Sequence, residues 1–118
     1  MSRFVLAATL GASYGIYGPA YELQDNQPLA PGKEEYFNSE KYEIKTWDLS
    51  RADSLAPLIT KVNQIRRENA ALQSHANLRF HHVDNEQIIA YSKTSNDGAS
   101  QIFGRGQFGS ALQAIRLC

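Results

Sequence analysis

The sequence predicts an α/β chain, and three observations carry that prediction. Residues Ser2 to Leu10 hold Phe4, Val5, Leu6, Ala7, Ala8 and Leu10, and the aromatic, β-branched run Tyr14, Ile16, Tyr17 follows them. Leu55, Leu58, Ile59, Val62 and Ile65 recur at three- and four-residue spacing. From Leu78 the pattern switches to a period of two.

Each element has a local reason. The first run is apolar all round, as in a helix buried between neighbours, and Gly11 supplies the left-handed conformation that commonly stops one. Tyr14 to Tyr17 then read as a short strand that ends at Gly18-Pro19. Two proline-containing turns lead into the polar patch EEYFNSEKYE, and loops of this length inside compact domains are usually functional. Ile44 to Trp47 read as a brief extended piece. Asp48, Ser50, Asp53 and Ser54 are helix-capping residues ahead of a helix from about Ser54 to Asn69, with Pro57 where a first turn tolerates it. Leu78 and Phe80 alternate with Arg79 and His81, the run Asp84-Asn85-Glu86 makes a turn, and Gln87 to Ser92 return as a second strand. Beyond Lys93 the chain turns rich in Gly and Ser, with a weak helical pattern in Ala111, Leu112 and Ile115, and no further strand is expected.

With 12 basic and 12 acidic side chains, the 118 residues have no overall field that would attract nucleic acid or anionic lipid. The single Cys118 rules out an internal disulfide, so a reducing cytoplasm is the expected compartment. The opening MSRFVLAATLGAS imitates a secretory signal, but its apolar run is short and Tyr14 follows closely. No apolar run approaches the roughly 18 residues of a membrane span.

The residues that could carry chemistry mostly have plain readings. His81 and His82 are adjacent on a strand and point to opposite faces, which is a poor start for a metal clamp, and His75 is read with them as surface. Glu34, Glu35, Glu40 and Glu43 read as a solvated acidic patch balanced by Lys33, Lys41 and Lys45. Ser39, His75 and Asp48 could be assembled as a triad only on paper, since no nucleophile-elbow pattern surrounds a serine. GRGQFG lacks the Lys-Ser or Lys-Thr of a phosphate loop and follows no convincing strand. Arg66-Arg67 read as a solvated helix face. Lys41 stands apart, because an ammonium between Tyr36 and Tyr42 suits a sugar hydroxyl or a phosphate oxygen; a plain surface charge is the competing reading.

Four segments carry a resemblance: RFVLAATLGASYGIYGPAYEL, PGKEEYFNSEKYEIKTWDL, LITKVNQIRRENAALQ and LRFHHVDNEQIIAYSK. Together they resemble the alpha-1,4-glucan:maltose-1-phosphate maltosyltransferases of the alpha-amylase superfamily. A helix ending in RREN is shared across that superfamily, whereas the EEY-x-x-SEKYE block is narrower. The resemblance implies the C-terminal portion of a (β/α)8 barrel, followed by the first hairpin of a C-terminal β-sandwich, both incomplete. It divides the chain into residues 1–70 from the barrel, 71–100 from the sandwich, and 101–118 as an unmatched tail. Ser2 to Leu10 become the seventh barrel helix, Tyr14 to Tyr17 the eighth strand, and the polar loop lies on the face where barrel enzymes keep their sites.

The implied activity is transfer of a maltosyl unit from α-maltose 1-phosphate to the non-reducing end of an α-glucan, with retention through a covalent glycosyl-enzyme. Lys41, Tyr42 and Tyr21 correspond to donor-binding positions. No cofactor or metal is implied, and the family suggests a cytoplasmic homodimer that engages neither nucleic acid nor membrane. The catalytic carboxylates of the family fall upstream of Met1, so the chain reads as an inactive fragment, with a frameshift or truncated reading frame behind both its start and its tail. Ala70, where the superfamily often has proline, is a minor departure. A remnant of a trehalose synthase or α-glucosidase, a non-catalytic carbohydrate-binding or interaction module, and a remnant that hardly folds are the rival readings.

Overall fold

The computed structural model describes residues 2–41, 43–107 and 115–117. They form two compact units, Met1–Tyr14 with Lys61–Cys118, and Gly15–Thr60. Helices α1 (Ser2–Leu10), α2 (Gly18–Glu22) and α3 (Ala56–Glu68) precede a 3-10 turn (Ala70–Gln73) and the strands β1 (Leu78–His81), β2 (Ile88–Thr94), β3 (Gln101–Gln107) and β4 (Ile115–Leu117). The first helix, the amphipathic third helix and the hairpin stand where the sequence puts them.

The first unit is built on an antiparallel sheet in the order β1-β2-β3-β4. The sheet therefore runs on past the expected hairpin. β3 contains the glycines that argued against a strand, and the reason is visible in its alternation. Ile102, Gly104 and Gly106 are buried while Gln101, Phe103 and Arg105 are exposed. Two of the three inward positions have no side chain, so period two does not appear as hydrophobicity. Gly104 stands opposite Tyr91, and a Cβ there would lie 2.2 Å from the phenol ring. The ring fills the space that a side chain on β3 would otherwise take. Of the expected weak helical pattern, Ala111 and Leu112 lie outside the described residues, as does Cys118, while Ile115 begins β4.

Tyr91 is fully buried, and its phenol meets the hydroxyl of Thr9 on α1. The Thr9 hydroxyl donates to the Val5 carbonyl at 2.6 Å, so the phenol donates to Thr9 Oγ1. α1 buries Phe4, Val5, Ala8 and Thr9 but leaves Ala7 exposed. One face is covered within the described residues, which corrects the expectation of a helix buried all round. Below the sheet, Ala71, Leu72 and Ile102 form a core against which Ile65 packs.

α1 does not stop by a left-handed glycine. Among the described residues the glycines at positive φ are Gly18, Gly32 and Gly98, and Gly11 is not one of them. The carbonyls at the end of α1 are instead met by cations from distant positions. The Arg66 guanidinium donates to the Ala8 carbonyl, to Gly11 O at 3.2 Å and to Ala12 O at 2.6 Å, with its planar group 5.1 Å from the centre of the Tyr14 ring. Lys93, also buried, donates from Nζ to Leu10 O at 3.2 Å. α1 has no basic residue in its own last turn, so these two supply the positive charge that a helix C-terminus favours. Arg66 is thus a buried cap and not a solvated helix face; its spacing of four from Val62 places it on the inner face of α3, and only its charge suggests solvent.

Two further corrections concern strands. Tyr14 to Tyr17 and Ile44 to Trp47 take no regular secondary structure. A strand is held by hydrogen bonds to a neighbour, and among the described residues no strand pairs with either run.

Two predictions follow from this packing. Gly104→Ala forces the Tyr91 ring aside and breaks its bond to Thr9, at a cost of about 1–3 kcal/mol for an overpacked core; a thermal melt of the variant shows a lower midpoint, and an unchanged midpoint contradicts the packing described. Burial and the nearby Arg66 hold the Lys93 ammonium below the ordinary lysine value of 10.5. Between the lowered and the ordinary value the unfolded chain binds the proton more tightly, so this residue's contribution to stability rises with pH across that window. Burial raises the Tyr91 phenol above 10.0, which acts in the opposite sense at higher pH. The denaturation midpoint of the native chain relative to Lys93→Met therefore climbs as the pH rises towards the ordinary lysine value of 10.5, and a difference that stays flat contradicts the buried ammonium.

Candidate functional site

The second unit folds around a polar loop. Pro19 sits in the first turn of α2, where a missing N–H costs nothing. The end of α2 is tied to the approach to α3. Leu55 N–H donates to Glu22 O at 2.9 Å. The Ser54 hydroxyl donates to Glu22 Oε1 at 2.9 Å and accepts from Ala56 N–H at 3.0 Å. Ala20, Leu23 and Leu55 are the buried apolar residues of this unit.

From Gln27 to Phe37 the loop doubles back as a narrow antiparallel ribbon. Phe37 N–H donates to Gln27 O and Leu29 N–H to Glu35 O, both at 2.8 Å, and Pro28 faces Tyr36 across it. The reversal is Ala30-Pro31-Gly32-Lys33, closed by Lys33 N–H onto Ala30 O at 3.0 Å. Gly32 has φ +77°, and proline followed by a left-handed glycine is the sequence a type II turn requires. Asn38, at φ +48°, then redirects the chain, since asparagine tolerates the left-handed region better than most residues.

These two reversals gather Tyr17, Glu34, Glu35, Tyr36, Ser39 and Lys41 around an open hollow of about 370 Å³. Tyr17 and Tyr36 meet edge to face with ring centres 5.9 Å apart. Lys41 Nζ lies 3.3 Å from Glu35 Oε1, with 67% of its side chain exposed. An ion pair so well solvated is worth little, roughly 0–1 kcal/mol. On the next stretch the Trp47 indole donates to Glu40 Oε1 at 2.8 Å. Lys45 lies 4.8 Å from the centre of the Trp47 ring and pairs with Asp25 at 2.8 Å. Hydrogen bonds from Ser50 hold the Asp48 carboxyl below its ordinary range, and the Arg51 guanidinium does the same for Asp53.

Of the residues singled out from the sequence, Lys41 lines the hollow, Tyr21 is half-buried on α2 and is not among the lining residues, and Tyr42 lies outside the described residues. Sequence reasoning did not name Tyr17 and Ser39 as lining residues, because Tyr17 reads as part of a strand and Ser39, two residues before Lys41, is weighed there only as a nucleophile. The signals that could have found them are the left-handed turn positions at Gly32 and Asn38. The histidines have ordinary roles. His75 Nδ1 accepts from Ala12 N–H at 3.3 Å, His81 bonds Ser92 at 2.8 Å, and His82 lies 3.0 Å from Asp84. Among the described residues no group of three His, Cys, Asp or Glu side chains could hold a metal, and no helix is long and apolar enough to cross a membrane.

The lining carries two carboxylates, one ammonium, two phenols and a hydroxyl. Carboxylates accept from hydroxyls, an ammonium donates to them, and tyrosine faces pack on the apolar faces of a ring. Such a set suits a neutral polyol, and its formal surplus of one negative charge works against an anion.

Comparison with known proteins gives one consistent result, although no protein-family model matches the chain. It is 57% identical over 91 residues to the alpha-1,4-glucan:maltose-1-phosphate maltosyltransferase of Methylacidiphilum infernorum, a match covering 77% of this chain and 14% of the relative. The protein of the same name from Chlorobaculum tepidum is 51% identical over 106 residues, 85% of this chain and 16% of the relative. Maltosyltransferase 2 of Streptomyces coelicolor is 55% identical over 95 residues, 77% of this chain and 14% of the relative. The chain thus spans about one seventh of the length of the relatives it matches.

Proposed function

Because the chain belongs to the alpha-1,4-glucan:maltose-1-phosphate maltosyltransferase family, we propose that its hollow is part of the donor site of such an enzyme, taking the sugar portion of α-maltose 1-phosphate. The observation that carries this reading is Lys41, presented with Tyr17 and Tyr36 on a loop fixed by two left-handed turns. Lys41 contacts the bound sugar, Tyr42 and Tyr21 contribute to the same site, and the phosphate lies away from the two carboxylates of the lining. The acceptor is the non-reducing end of an α-glucan. In the full enzyme this segment belongs to the end of a (β/α)8 barrel, with β1 and β2 opening a β-sandwich domain, in a cytoplasmic homodimer.

Retention of configuration needs a carboxylate nucleophile and a second carboxyl that acts as acid and then as base. Glu35 is paired with Lys41 and Glu40 with the Trp47 indole. We take the bond-breaking carboxylates to lie in the rest of such an enzyme, since the matched segment is about one seventh of its relatives' length. This chain contributes positioning, and positioning alone leaves the largest chemical contributions missing.

The purified 118-residue chain accordingly releases no phosphate from α-maltose 1-phosphate above a buffer blank, with or without a glucan acceptor. Phosphate release at a rate proportional to protein concentration contradicts this division of labour.

A further inference from the structure

One buried polar atom at the edge of the hollow has no hydrogen-bond partner. Ser39 Oγ is shut off from solvent and has no hydrogen-bond partner, although the residue borders the hollow beside Lys41. Its backbone is committed, since the Ser39 carbonyl accepts from Glu43 N–H at 3.2 Å, so the loop holds the residue while the hydroxyl goes unpaired. A buried hydroxyl without a partner is a net cost to the folded chain, and most buried side-chain polar atoms avoid it. Alanine in this place would fold at least as well.

We propose that Ser39 is a further donor-binding residue, whose hydroxyl bonds a hydroxyl of the bound sugar next to Lys41. This rests on the reading of the hollow as a donor site. A serine hydroxyl has one rotatable bond between it and the backbone, and a turn about that bond brings Oγ from its closed position to the wall of the hollow, where it can donate to or accept from a sugar oxygen. The carboxylates of Glu34 and Glu35 in the same wall favour a neutral sugar hydroxyl over the phosphate. The role is one of selection: a site with a hydroxyl left over for one sugar oxygen rejects an analogue lacking it.

The test compares the native chain with Ser39→Ala and Lys41→Ala, using maltose and α-maltose 1-phosphate as probes in ligand-observed saturation-transfer titrations, with a thermal melt of each unliganded protein. Ser39→Ala is expected to weaken binding of both probes about fivefold, the loss of one neutral hydrogen bond, while its unliganded melting midpoint is unchanged or raised. Lys41→Ala weakens binding as well. If Ser39→Ala binds both probes like the native chain while Lys41→Ala does not, the inference about Ser39 is overturned and the donor site stands. A lowered melting midpoint for Ser39→Ala with unaltered binding makes Ser39 a structural residue and also overturns it. If neither substitution alters binding, or the native chain binds neither probe, the donor-site reading fails and Ser39 falls with it.

Discussion

The Arg66 guanidinium, set on the carbonyls of Ala8, Gly11 and Ala12, is the contact on which the sheet-bearing unit depends. A helix of nine residues is too short to persist in water by itself, and α1 lacks both a basic last turn and a left-handed stop. Its end is held by Arg66 and Lys93, which come from 58 and 83 residues away. Only a planar group with several donors reaches three carbonyls at once, so lysine is no substitute for Arg66. Burial of two cations side by side is costly, and the lowered ammonium of Lys93 is its mark. The carbonyls return enough in charge-assisted hydrogen bonds, roughly 1.5–3 kcal/mol each, to sustain the arrangement.

The polar loop is organised by a different economy, in which backbone conformation matters more than charge. Pro31-Gly32 and Asn38 determine where Glu35, Tyr36, Ser39 and Lys41 meet, and the ion pair between Lys41 and Glu35 is too exposed to do so. Strain and turn chemistry are spent on presenting side chains, a usual property of loops that bind. The result is a wall of phenols, hydroxyl and charge with one group, Ser39, still unmatched.

The third helix and the hairpin were legible because their signals are periodic: Leu55 to Ile65 at helical spacing, and Leu78 to Ser92 at strand spacing; α1 was legible from its apolar run, whereas the five-residue α2 was missed because Gly18-Pro19 reads as a turn. What escaped had physical reasons. β3 hides its alternation because two of its inward positions, Gly104 and Gly106, are glycines, and at Gly104 the Tyr91 ring takes the room a side chain would need. Arg66 reads as solvated because nothing local reveals carbonyls 58 residues upstream. Tyr14 to Tyr17 look like a strand because their composition is that of a strand, yet pairing is a property of neighbours. Lys41 stood out by its company of tyrosines and by the SEKYE resemblance, while Tyr17 and Ser39 joined it only through the turns. The family itself was legible from four short segments, and relatives at 57% and 51% identity bear that out.

In the proposed reading, this segment supplies the lysine that grips the sugar of a glycosyl phosphate donor. The most direct measurement of this is the donor dependence of an intact maltosyltransferase carrying the same S-E-K-Y-E block, with the lysine corresponding to Lys41 changed to alanine. The account predicts a raised KM for α-maltose 1-phosphate, roughly tenfold or more for a lost charge-assisted hydrogen bond, with the fold retained. An unchanged KM and kcat in a folded variant would contradict it.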